Sequence, residues 1–350
     1  MSFSEYKLYI EEGDVAILYI NPFKMFAIDI KRMIPDKNGR LVENIFQTMY
    51  GSLKVNSLIG KKFGSKILLS RGWAYILHPT SELWTTLLPH RTQILYTPDI
   101  SMVLFQLDLF PGKVVIESGT GSGSVTHSLA RTISPNGHVY TFEFHESRQQ
   151  KAVEEFALHK LSNVVTVTLR NVCEQGFGEE MNNKADAVFL DLPSPWEAVK
   201  HAVKCFKKKG GRIASFSPCI EQVQKVCLEL KALGFVDIIT MECHQRELTV
   251  SEKNLSAMSL DWRETPKPVK TALCIPAQEQ IPGHTGFLTF ATLPPDFSRS
   301  ASGVVQQPVK ITEMEIENVV LDENFHTEPV SMISMSCSDL SGECSDRLLS

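Results

Sequence analysis

The sequence lacks a long hydrophobic run, closely paired cysteines and a secretory leader. No stretch of 18 apolar residues occurs, whereas a membrane-spanning helix needs about 20. The eight cysteines are scattered without a CxxC pair, which suits a reducing compartment and argues against a zinc ribbon or a disulfide framework. The first five residues are mixed and acidic, so we expect no signal peptide. These absences predict that neither a membrane nor a metal ion is a partner.

The sequence also lacks an excess of basic residues, since its net charge is −5. This charge is unevenly distributed. Residues 296–350 hold three basic and ten acidic side chains together with ten serines, which predicts a disordered, solvated tail. The preceding 295 residues hold 32 basic and 30 acidic side chains. A nucleic-acid site on this part of the chain would therefore have to be a local patch.

The length of 350 residues corresponds to about two domains of roughly 150 residues with additional segments. Residues 1–85 contain short apolar runs, among them 14–20 and 25–30, which are separated by turn residues. This pattern predicts a small β-rich N-terminal domain, for which a barrel is one arrangement.

Residues 86–295 alternate strand-like and helix-like apolar patterns. Such alternation predicts an α/β domain with a seven-stranded, mostly parallel, doubly wound sheet. The last two strands, 235–241 and 287–292, have no helical pattern between them, so we expect them to pair antiparallel as a terminal hairpin. The polar segment 244–282 between them contains four prolines and predicts a long mobile loop.

A glycine-rich loop follows the first strand of this domain, and three glycines alternate within residues 117–124. Glycine lets the backbone turn sharply and approach a ligand closely. Glu143, at the end of the second strand, can accept hydrogen bonds from a ribose diol, and Asn171, after the third strand, is a candidate for the adenine edge. The spacing is GxGxG rather than GxGxxG. NAD and S-adenosylmethionine therefore both stay open as cofactors, and the antiparallel terminal hairpin favours the methyltransferase form of the sheet.

The fourth strand is followed by Asp191, two prolines and Trp196. The prolines fix the backbone and direct polar groups toward the cleft. Asp191 is a candidate functional residue, because it lies several residues before the next helix, where a helix-capping role is disfavoured. Trp196 could stack on a base, but its helical spacing with Val199 and Val203 favours core packing.

These residues resemble those of the eukaryotic catalytic subunit of tRNA (adenine(58)-N1)-methyltransferase. The resemblance runs from Met1 to about Thr292 and does not include the acidic tail, and the stretch 31–55 looks longer than is usual in that family. Five segments carry the resemblance: Leu88–Tyr96 (LPHRTQILY), Glu117–Ser124 (ESGTGSGS), Phe189–Trp196 (FLDLPSPW), Ser215–Gln222 (SFSPCIEQ) and Gly283–Gly286 (GHTG).

The resemblance implies a β-rich N-terminal domain followed by a Rossmann-like, S-adenosylmethionine-dependent methyltransferase domain. It implies transfer of a methyl group to N1 of an adenine in the T-loop of tRNA. It also implies a catalytically inactive, tRNA-binding paralogue as partner, in a heterotetramer with two copies of each chain, and a nuclear location.

The resemblance further implies roles for individual residues. Asp191 is the expected catalytic carboxylate, which accepts from the exocyclic amino group of adenine, orients N1 and stabilises the developing positive charge. The expected cofactor contacts are Leu95, Ser122, Gly123, Ser124, Glu143, Arg148, Asn171, Val172 and Asp191. The expected substrate contacts are Gly72, Trp73, Gln93, Ile94, Leu95, Tyr96, Thr97, Leu190, Leu192, Pro193, Ser215, Phe216, Ser217, Pro218, Cys219, Ile220, Glu221 and Gln222.

One position departs from the family pattern, which usually has Asp where this chain has Asn171. An amide oxygen can still accept from an adenine amino group, so we expect weaker cofactor binding rather than a loss of activity.

Several basic side chains are candidates for tRNA phosphates, although each could equally be an ordinary solvated charge. We interpret Lys207–Lys209 differently, as a helix C-terminus that interacts with the helix dipole. The phosphate candidates are Lys61, Lys62, Arg71, His90 and Arg91.

The residues alone leave three other functions open. A methyltransferase that acts on a protein or a small molecule would also carry the glycine loop, but the motif from Asp191 to Trp196 better fits a planar base with an amino group. An inactive RNA-binding paralogue is disfavoured because the glycine loop and Asp191 are both present. An NAD-dependent dehydrogenase is disfavoured because GxGxxG is absent.

Overall fold

A computed structural model describes Phe3 and residues 6–256, 268–277 and 284–301, which belong to one compact unit. The predicted disordered tail lies outside the described residues from residue 302 onward. Its first six residues, Asp296–Ala301, form a helix, so the tail prediction is wrong for them. No described helix is long and apolar enough to cross a membrane.

The N-terminal part of the chain is built from short strands, as the apolar runs predicted. A four-stranded antiparallel sheet has the order β2-β1-β8-β7, and two separate hairpins pair β3 with β4 and β5 with β6. A single 3-10 turn, Val55–Leu58, follows the second hairpin. The strands are β1 (Val15–Asn21), β2 (Lys24–Asp29), β3 (Met33–Pro35), β4 (Leu41–Glu43), β5 (Ile45–Thr48), β6 (Gly51–Lys54), β7 (Lys66–Leu69) and β8 (Gly72–Leu77).

One apolar core holds these strands together. Burial alternates along β7, where Ile67 and Leu69 point inward and their neighbours are exposed, as expected for a strand with one covered face. Ala16, Leu18 and Ile76 join the same core. The described strands form one sheet and two hairpins rather than one closed barrel. Turns at Asp36–Gly39 and Thr48–Gly51 connect the strands of the two hairpins.

The second part of the chain alternates helices and strands from α1 onward. Its helices are α1 (Ser81–Leu87), α2 (Thr97–Gln106), α3 (Ser124–Ile133), α4 (Glu146–Leu158), α5 (Val172–Gln175), α6 (Pro195–Cys205), α7 (Ile220–Ala232) and α8 (Asp296–Ala301), together with a 3-10 turn at Glu179–Met181. Its strands are β9 (Val114–Ser118), β10 (His138–Glu143), β11 (Val165–Leu169), β12 (Ala187–Asp191), β13 (Gly211–Ser217), β14 (Val236–Met241), β15 (Leu248–Ser256), β16 (Pro268–Pro276) and β17 (Phe287–Leu293).

The predicted seven-stranded sheet is present, with the order β11-β10-β9-β12-β13-β17-β14. The five strands from β11 to β13 pair in parallel, and β17 pairs antiparallel with both β13 and β14. The antiparallel pairing of the last two strands is therefore confirmed. Strands β10 and β11 lie on one side of β9, and β12 and β13 lie on its other side. The switch point at which α/β sheets bind ligands therefore lies between β9 and β12.

The segment 244–282 is not a structureless loop. Strands β15 and β16 are nine residues each and pair antiparallel, from Leu248 opposite Pro276 to Ser256 opposite Pro268. Prolines at the two ends of β16 leave the ladder between them intact, because a proline lacks a donor only at its own position. The prediction of a loop for residues 248–256 and 268–276 is therefore wrong.

Helices cover both faces of the large sheet. Apolar residues of α1 to α4 pack on one face, and those of α5 to α7 pack on the other. Phe3 and Val15 also join the first of these cores, so the N-terminal part of the chain packs directly against the sheet domain. Trp196 is partly buried against the second core, which confirms the packing role that its helical spacing favoured.

Candidate active site

The glycine-rich loop lies at the carboxyl end of β9, beside the ends of β10 and β12. Gly119 adopts a φ of +97°, in the left-handed region that glycine enters without strain. A side-chain carbon at this position would lie 2.1 Å from the main-chain oxygen of Asp191. Glycine is therefore required at this position for two reasons, the turn of the backbone and the close approach of β12.

Glu143 is held rigidly at the end of β10. Its Oε1 accepts from the main-chain N–H of His145 at 3.1 Å and from Arg148 at 2.7 and 3.0 Å. Its Oε2 accepts from the main-chain N–H of Gly121 at 3.0 Å. A carboxylate offers about four acceptor positions, so Oε2 keeps capacity for a further donor such as a ribose hydroxyl. The side chain is 4% exposed, which makes it a fixed rather than a mobile acceptor.

A cavity of about 410 Å³ opens at the ends of these strands. Its size falls within the range usual for small-molecule sites. Phe142 and Val172 supply apolar walls, and Glu143 and Asn171 supply polar groups. It is lined by Thr92, Gln93, Ser118, Gly119, Gly121, Phe142, Glu143, Phe144, Arg148, Arg170, Asn171, Val172, Cys173, Asp191, Leu192, Pro193 and Ser194.

A second cavity, of about 750 Å³, adjoins the first. It is lined by Gln93, Ile94, Leu95, Tyr96, Pro98, Asp99, Asp191, Leu192, Pro193, Phe216, Pro218, Gln222, Cys243, His244, Gln245, Arg246, Glu247 and Thr285. Four residues line both cavities: Gln93, Asp191, Leu192 and Pro193. Asp191 therefore lies at the junction of two ligand-sized spaces.

Three carboxyl groups lie around the junction, those of Glu117, Glu143 and Asp191. Burial raises the pKa of Asp191 to about 7. Burial also raises the pKa of Glu117 to about 7, although its carboxylate accepts a 2.6 Å hydrogen bond from Thr126. Glu117 also senses the charges of Asp191 and Glu143. Three carboxyl groups close to one cavity favour a cationic ligand, because an opposite charge relieves the cost of ionising them.

Many of the residues expected in the site line the two cavities. Those expected to contact the cofactor that line the first cavity are Glu143, Arg148, Asn171, Val172 and Asp191. Those expected to contact the substrate that line the second cavity are Gln93, Ile94, Leu95, Tyr96, Leu192, Pro193, Phe216, Pro218 and Gln222.

The remaining expected residues do not line either cavity. Two of them, Ser122 and Ser124, support the cavity walls from behind. The Ser122 hydroxyl accepts from the main-chain N–H groups of Arg91 and Thr92 at 2.9 and 3.1 Å, and the Ser124 hydroxyl donates to the carbonyl of Leu95 at 3.1 Å. The residues outside both cavities are Gly72, Trp73, Thr97, Ser122, Gly123, Ser124, Leu190, Ser215, Ser217, Cys219, Ile220 and Glu221.

Two interpretations of basic residues are wrong. The Arg91 guanidinium pairs with Glu155 at 2.9 Å, and both side chains are nearly buried, so Arg91 is not free to bind a phosphate. Lys207 and Lys209 do not serve a helix dipole, because their ammonium groups pair with Asp186 at 2.5 and 2.8 Å. Asp186 is 5% exposed, and the two lysines compensate its buried charge. Lys61, Lys62, Arg71 and His90 are exposed.

One side of the second cavity is formed by residues that sequence patterns did not indicate. Pro98 and Asp99 begin α2, and residues 243–247 follow β14, in a segment that has no periodic pattern. Thr285 belongs to the GHTG segment that carried part of the resemblance. Only the fold could show that these separate segments meet.

The fold and the two cavities define a class of protein, the S-adenosylmethionine-dependent methyltransferases. A SAM-dependent O-methyltransferase from Thermotoga maritima has a TM-score of 0.63 and 27% identity, and the match covers 81% of this chain and 94% of that one. A tRNA (m1A58) methyltransferase from Aquifex aeolicus shares the fold, with a TM-score of 0.60, 22% identity and coverage of 81% and 98%. S-adenosylmethionine is the methyl donor of this class, and the first cavity fits it. Glu143 would hold the ribose, Asn171 and Val172 would lie near the base, and the carboxyl groups would face the sulfonium.

Sequence comparison gives the family. Residues 72–275 match the model described as tRNA methyltransferase complex GCD14 subunit. A tRNA (adenine(58)-N(1))-methyltransferase catalytic subunit from Candida albicans is 44% identical over 246 residues, which are 69% of this chain and 70% of that protein. Its counterpart from Dictyostelium discoideum is 37% identical over 317 residues, which are 82% of this chain and 97% of that protein. The counterpart from Cryptococcus neoformans is 45% identical, and the match covers 72% of this chain but only 57% of that protein. The chain belongs to this family of tRNA methyltransferase complex subunits.

Replacing Asn171 with Asp is expected to tighten S-adenosylmethionine binding about two- to tenfold, because a charged acceptor bonds more strongly than a neutral one. Asn171 Oδ1 accepts from the main-chain N–H of Cys173 at 3.2 Å and caps α5. An aspartate keeps this cap. Calorimetric titration measures the affinity, and Asn182→Asp, an exposed position, controls for the added charge. Equal affinities of Asn171→Asp and the wild type would contradict the expectation.

Proposed function

We propose that this chain is the catalytic subunit of a tRNA (adenine(58)-N1)-methyltransferase, which methylates N1 of a T-loop adenine with S-adenosylmethionine as donor. One observation carries the proposal: Asp191 lines both cavities. A single carboxylate can therefore face the methyl donor from one side and a target base from the other. The names and family of the relatives supply the substrate.

Asp191 performs the central step of the proposed reaction. Adenine N1 carries a lone pair at neutral pH, so no strong base is needed to create the nucleophile. The carboxylate accepts from the exocyclic amino group, orients N1 and stabilises the positive charge that develops on the ring. When bound, S-adenosylmethionine supplies a methyl group activated by a sulfonium. Position and electrostatics then account for the rate.

The second cavity suits a base that has left its stack. Flipping a base costs roughly a few kcal/mol, and stacking on aromatic or apolar side chains offsets part of this cost. Tyr96 and Phe216 supply aromatic rings, and Pro193 and Pro218 supply apolar walls. The side-chain amide of Gln93 is available for the edge of the base, whereas the amide of Gln222 already bonds the main chain of Cys219 and Pro193.

Methyl transfer is expected to rise with pH until Asp191 is ionised, at about pH 7 or below, because the bound sulfonium cation favours the ionised carboxylate. Burial raises the pKa of Asp191 to about 7 in the free chain, and the ionised carboxylate accepts from the amino group more strongly than the neutral acid and carries the charge that stabilises a cation. Single-turnover rates at saturating tRNA between about pH 5.5 and 8.5 measure this dependence. The rise persists in Glu117→Gln, since Glu117 titrates in the same range but lines neither cavity. A flat profile in the wild type would contradict the role of Asp191.

We further propose that the chain works with the inactive, tRNA-binding paralogue as a heterotetramer. The near-neutral charge before the tail supports a second, more basic chain for tRNA binding. Strands β15 and β16 expose Leu248 and Val250 on one face and Leu273 and Ile275 on the other, and such exposed apolar surfaces favour contact with another chain. Light scattering of the co-expressed chains is expected to give the mass of two copies of each, and Val250→Lys is expected to lower it.

A nuclear location is also proposed on the resemblance to the eukaryotic subunit. Fluorescence imaging of the tagged full-length chain, expressed with its paralogue, tests it. A signal that stays outside the nucleus would contradict it.

The proposed reaction is tested with labelled S-adenosylmethionine and unmodified tRNA transcripts that carry adenine or guanine at the T-loop position. Each transcript is assayed with and without the paralogous subunit. Label on the adenine transcript alone, and only with the paralogue, is the expected result. Cofactor binding without label on either transcript would show that the substrate is not tRNA.

A further inference from the structure

Three separate segments meet at the rim of the second cavity. They are the loop after β13, the chain that follows β14, and the segment that precedes β17. Each contributes to the lining through Pro218, His244 or Thr285. None of these segments is part of a long helix or a central strand, so the shape of the rim depends on side-chain contacts between them.

His284 connects all three segments. Its Nδ1 bonds the carboxylate of Glu242, just after β14, and its Nε2 bonds the carbonyl of Pro218 at 2.9 Å. A carboxylate and a carbonyl only accept hydrogen bonds, so both ring nitrogens must donate. A histidine donates from both nitrogens only as an imidazolium cation. Its ring also packs on Phe287, with centroids 4.6 Å apart.

The surrounding charges agree with this cation. The Pro218 carbonyl, followed by Glu242, raises the pKa of His284, and the hydrogen bond from His284 lowers the pKa of Glu242. Glu242 also accepts from His244 Nε2 at 3.3 Å. Asp99, on α2, interacts electrostatically with His244.

The segment that contains His284 also packs closely against Phe216 in the wall of the second cavity. Gly286 has a φ of +132°, and a side-chain carbon there would lie 2.3 Å from the ring of Phe216. Phe216 lines the second cavity. The position of the segment therefore sets the position of this ring, and His284 is the side chain that fixes the segment to its neighbours.

We propose that His284 is a positioning residue that ties the three rim segments together by donating from both ring nitrogens, and so holds the second cavity in the shape that receives the target base. The proposal rests on the proposed function, which assigns this cavity to the base. His284 lines neither cavity, so it acts through Pro218, Glu242 and Phe216 rather than on the reacting atoms.

The sign of the pH dependence follows from the direction of the pKa shift. A histidine whose pKa is raised on folding contributes its stabilisation below its ordinary pKa and loses it as pH rises through the folded value. The rim is therefore expected to loosen at alkaline pH, which raises KM for tRNA. Ionisation of Asp191 instead increases kcat as pH rises. The two effects are therefore separated by measuring kcat and KM independently.

The protonation of His284 is measured directly by NMR titration of the imidazole signals of the full-length chain, without tRNA. His284→Gln assigns the signal by its disappearance. A pKa above the ordinary value of 6.5, which falls in Glu242→Gln, is the expected result. A pKa at or below 6.5 in the wild type overturns the proposal.

The effect on the rim is measured by methylation kinetics with tRNA. His284→Gln is expected to raise KM about two- to fivefold with kcat unchanged, the range for partly exposed charged pairs, and to remove the alkaline rise in KM. His138→Gln is the matched control, because His138 bonds Thr166 on the opposite side of the sheet domain, at the start of β10. Equal KM values of His284→Gln and the wild type overturn the proposal.

Failure of the proposed function gives a different pattern. It would leave the wild type without activity on tRNA while the NMR titration still reports the state of His284. Glu242→Gln weakens the same contact from the other side by removing its negative charge, so a folding defect confined to His284→Gln does not decide the test. Thermal melting of each variant identifies such a defect.

Discussion

Replacing Asp191 with Asn is expected to lower the single-turnover rate of methyl transfer about a hundredfold or more, the usual size for the loss of an electrostatic group in an active site. The amide keeps the size of the side chain but loses the negative charge. Its NH2 group can also be directed at the amino group of adenine, where a donor meets a donor. The rate is measured at saturating tRNA and S-adenosylmethionine with the complete complex.

The stability of Asp191→Asn separates this effect from a folding defect. Burial already disfavours the charged form of Asp191, so a neutral amide is expected to leave the melting temperature unchanged or slightly higher. Glu146→Gln removes a carboxylate that is exposed on α4 and is expected to retain the wild-type rate. A rate of Asp191→Asn within a few-fold of the wild type would remove Asp191 from the mechanism.

Replacing Gly119 with Ala is expected to lower S-adenosylmethionine affinity at least tenfold and the methylation rate by about a hundredfold or more. The added carbon would lie 2.1 Å from the main-chain oxygen of Asp191, so the loop, the end of β12 or both must move. A displacement of about 1 Å in a catalytic group can cost a hundredfold in rate. Both cavities change together, because Asp191 lines both.

The chain offers a matched control for this substitution. Gly112 has a φ of +93°, close to the +97° of Gly119, but a side-chain carbon there meets nothing within 4 Å. Gly112→Ala therefore carries the backbone strain alone, of about 1–2 kcal/mol. It is expected to lower the melting temperature while retaining affinity and rate. Similar losses of affinity in both variants would show that strain rather than contact with Asp191 causes the effect.

Local patterns in the chain predicted the elements that carry the chemistry. The apolar run 187–190 ends at Asp191, and that residue lies at the carboxyl end of β12. Glu143 likewise ends β10. Because parallel strands present their carboxyl ends at one edge of a sheet, the meeting of these two residues could be predicted without coordinates.

Other local patterns were misleading because their partners are distant in the chain. Lys207–Lys209 follow a helix, yet two of these lysines compensate the buried Asp186, about 20 residues earlier. Arg91 lies among residues of the predicted site, yet it pairs with Glu155 on α4. Nothing in the neighbouring residues indicates such partners, because an ion pair depends on spatial distance rather than on sequence separation.

The sequence by itself determined the alternating α/β domain, the glycine loop, the strand-end carboxylates and the family, since each depends on short-range spacing and residue type. The tertiary structure alone decided that β17 lies between β13 and β14 and that 248–276 contains a strand pair. It also decided that His284 reaches both Glu242 and Pro218. These features come from contacts between segments far apart in the chain, where burial and hydrogen-bond pairing over the whole fold select one arrangement from many that local propensity permits.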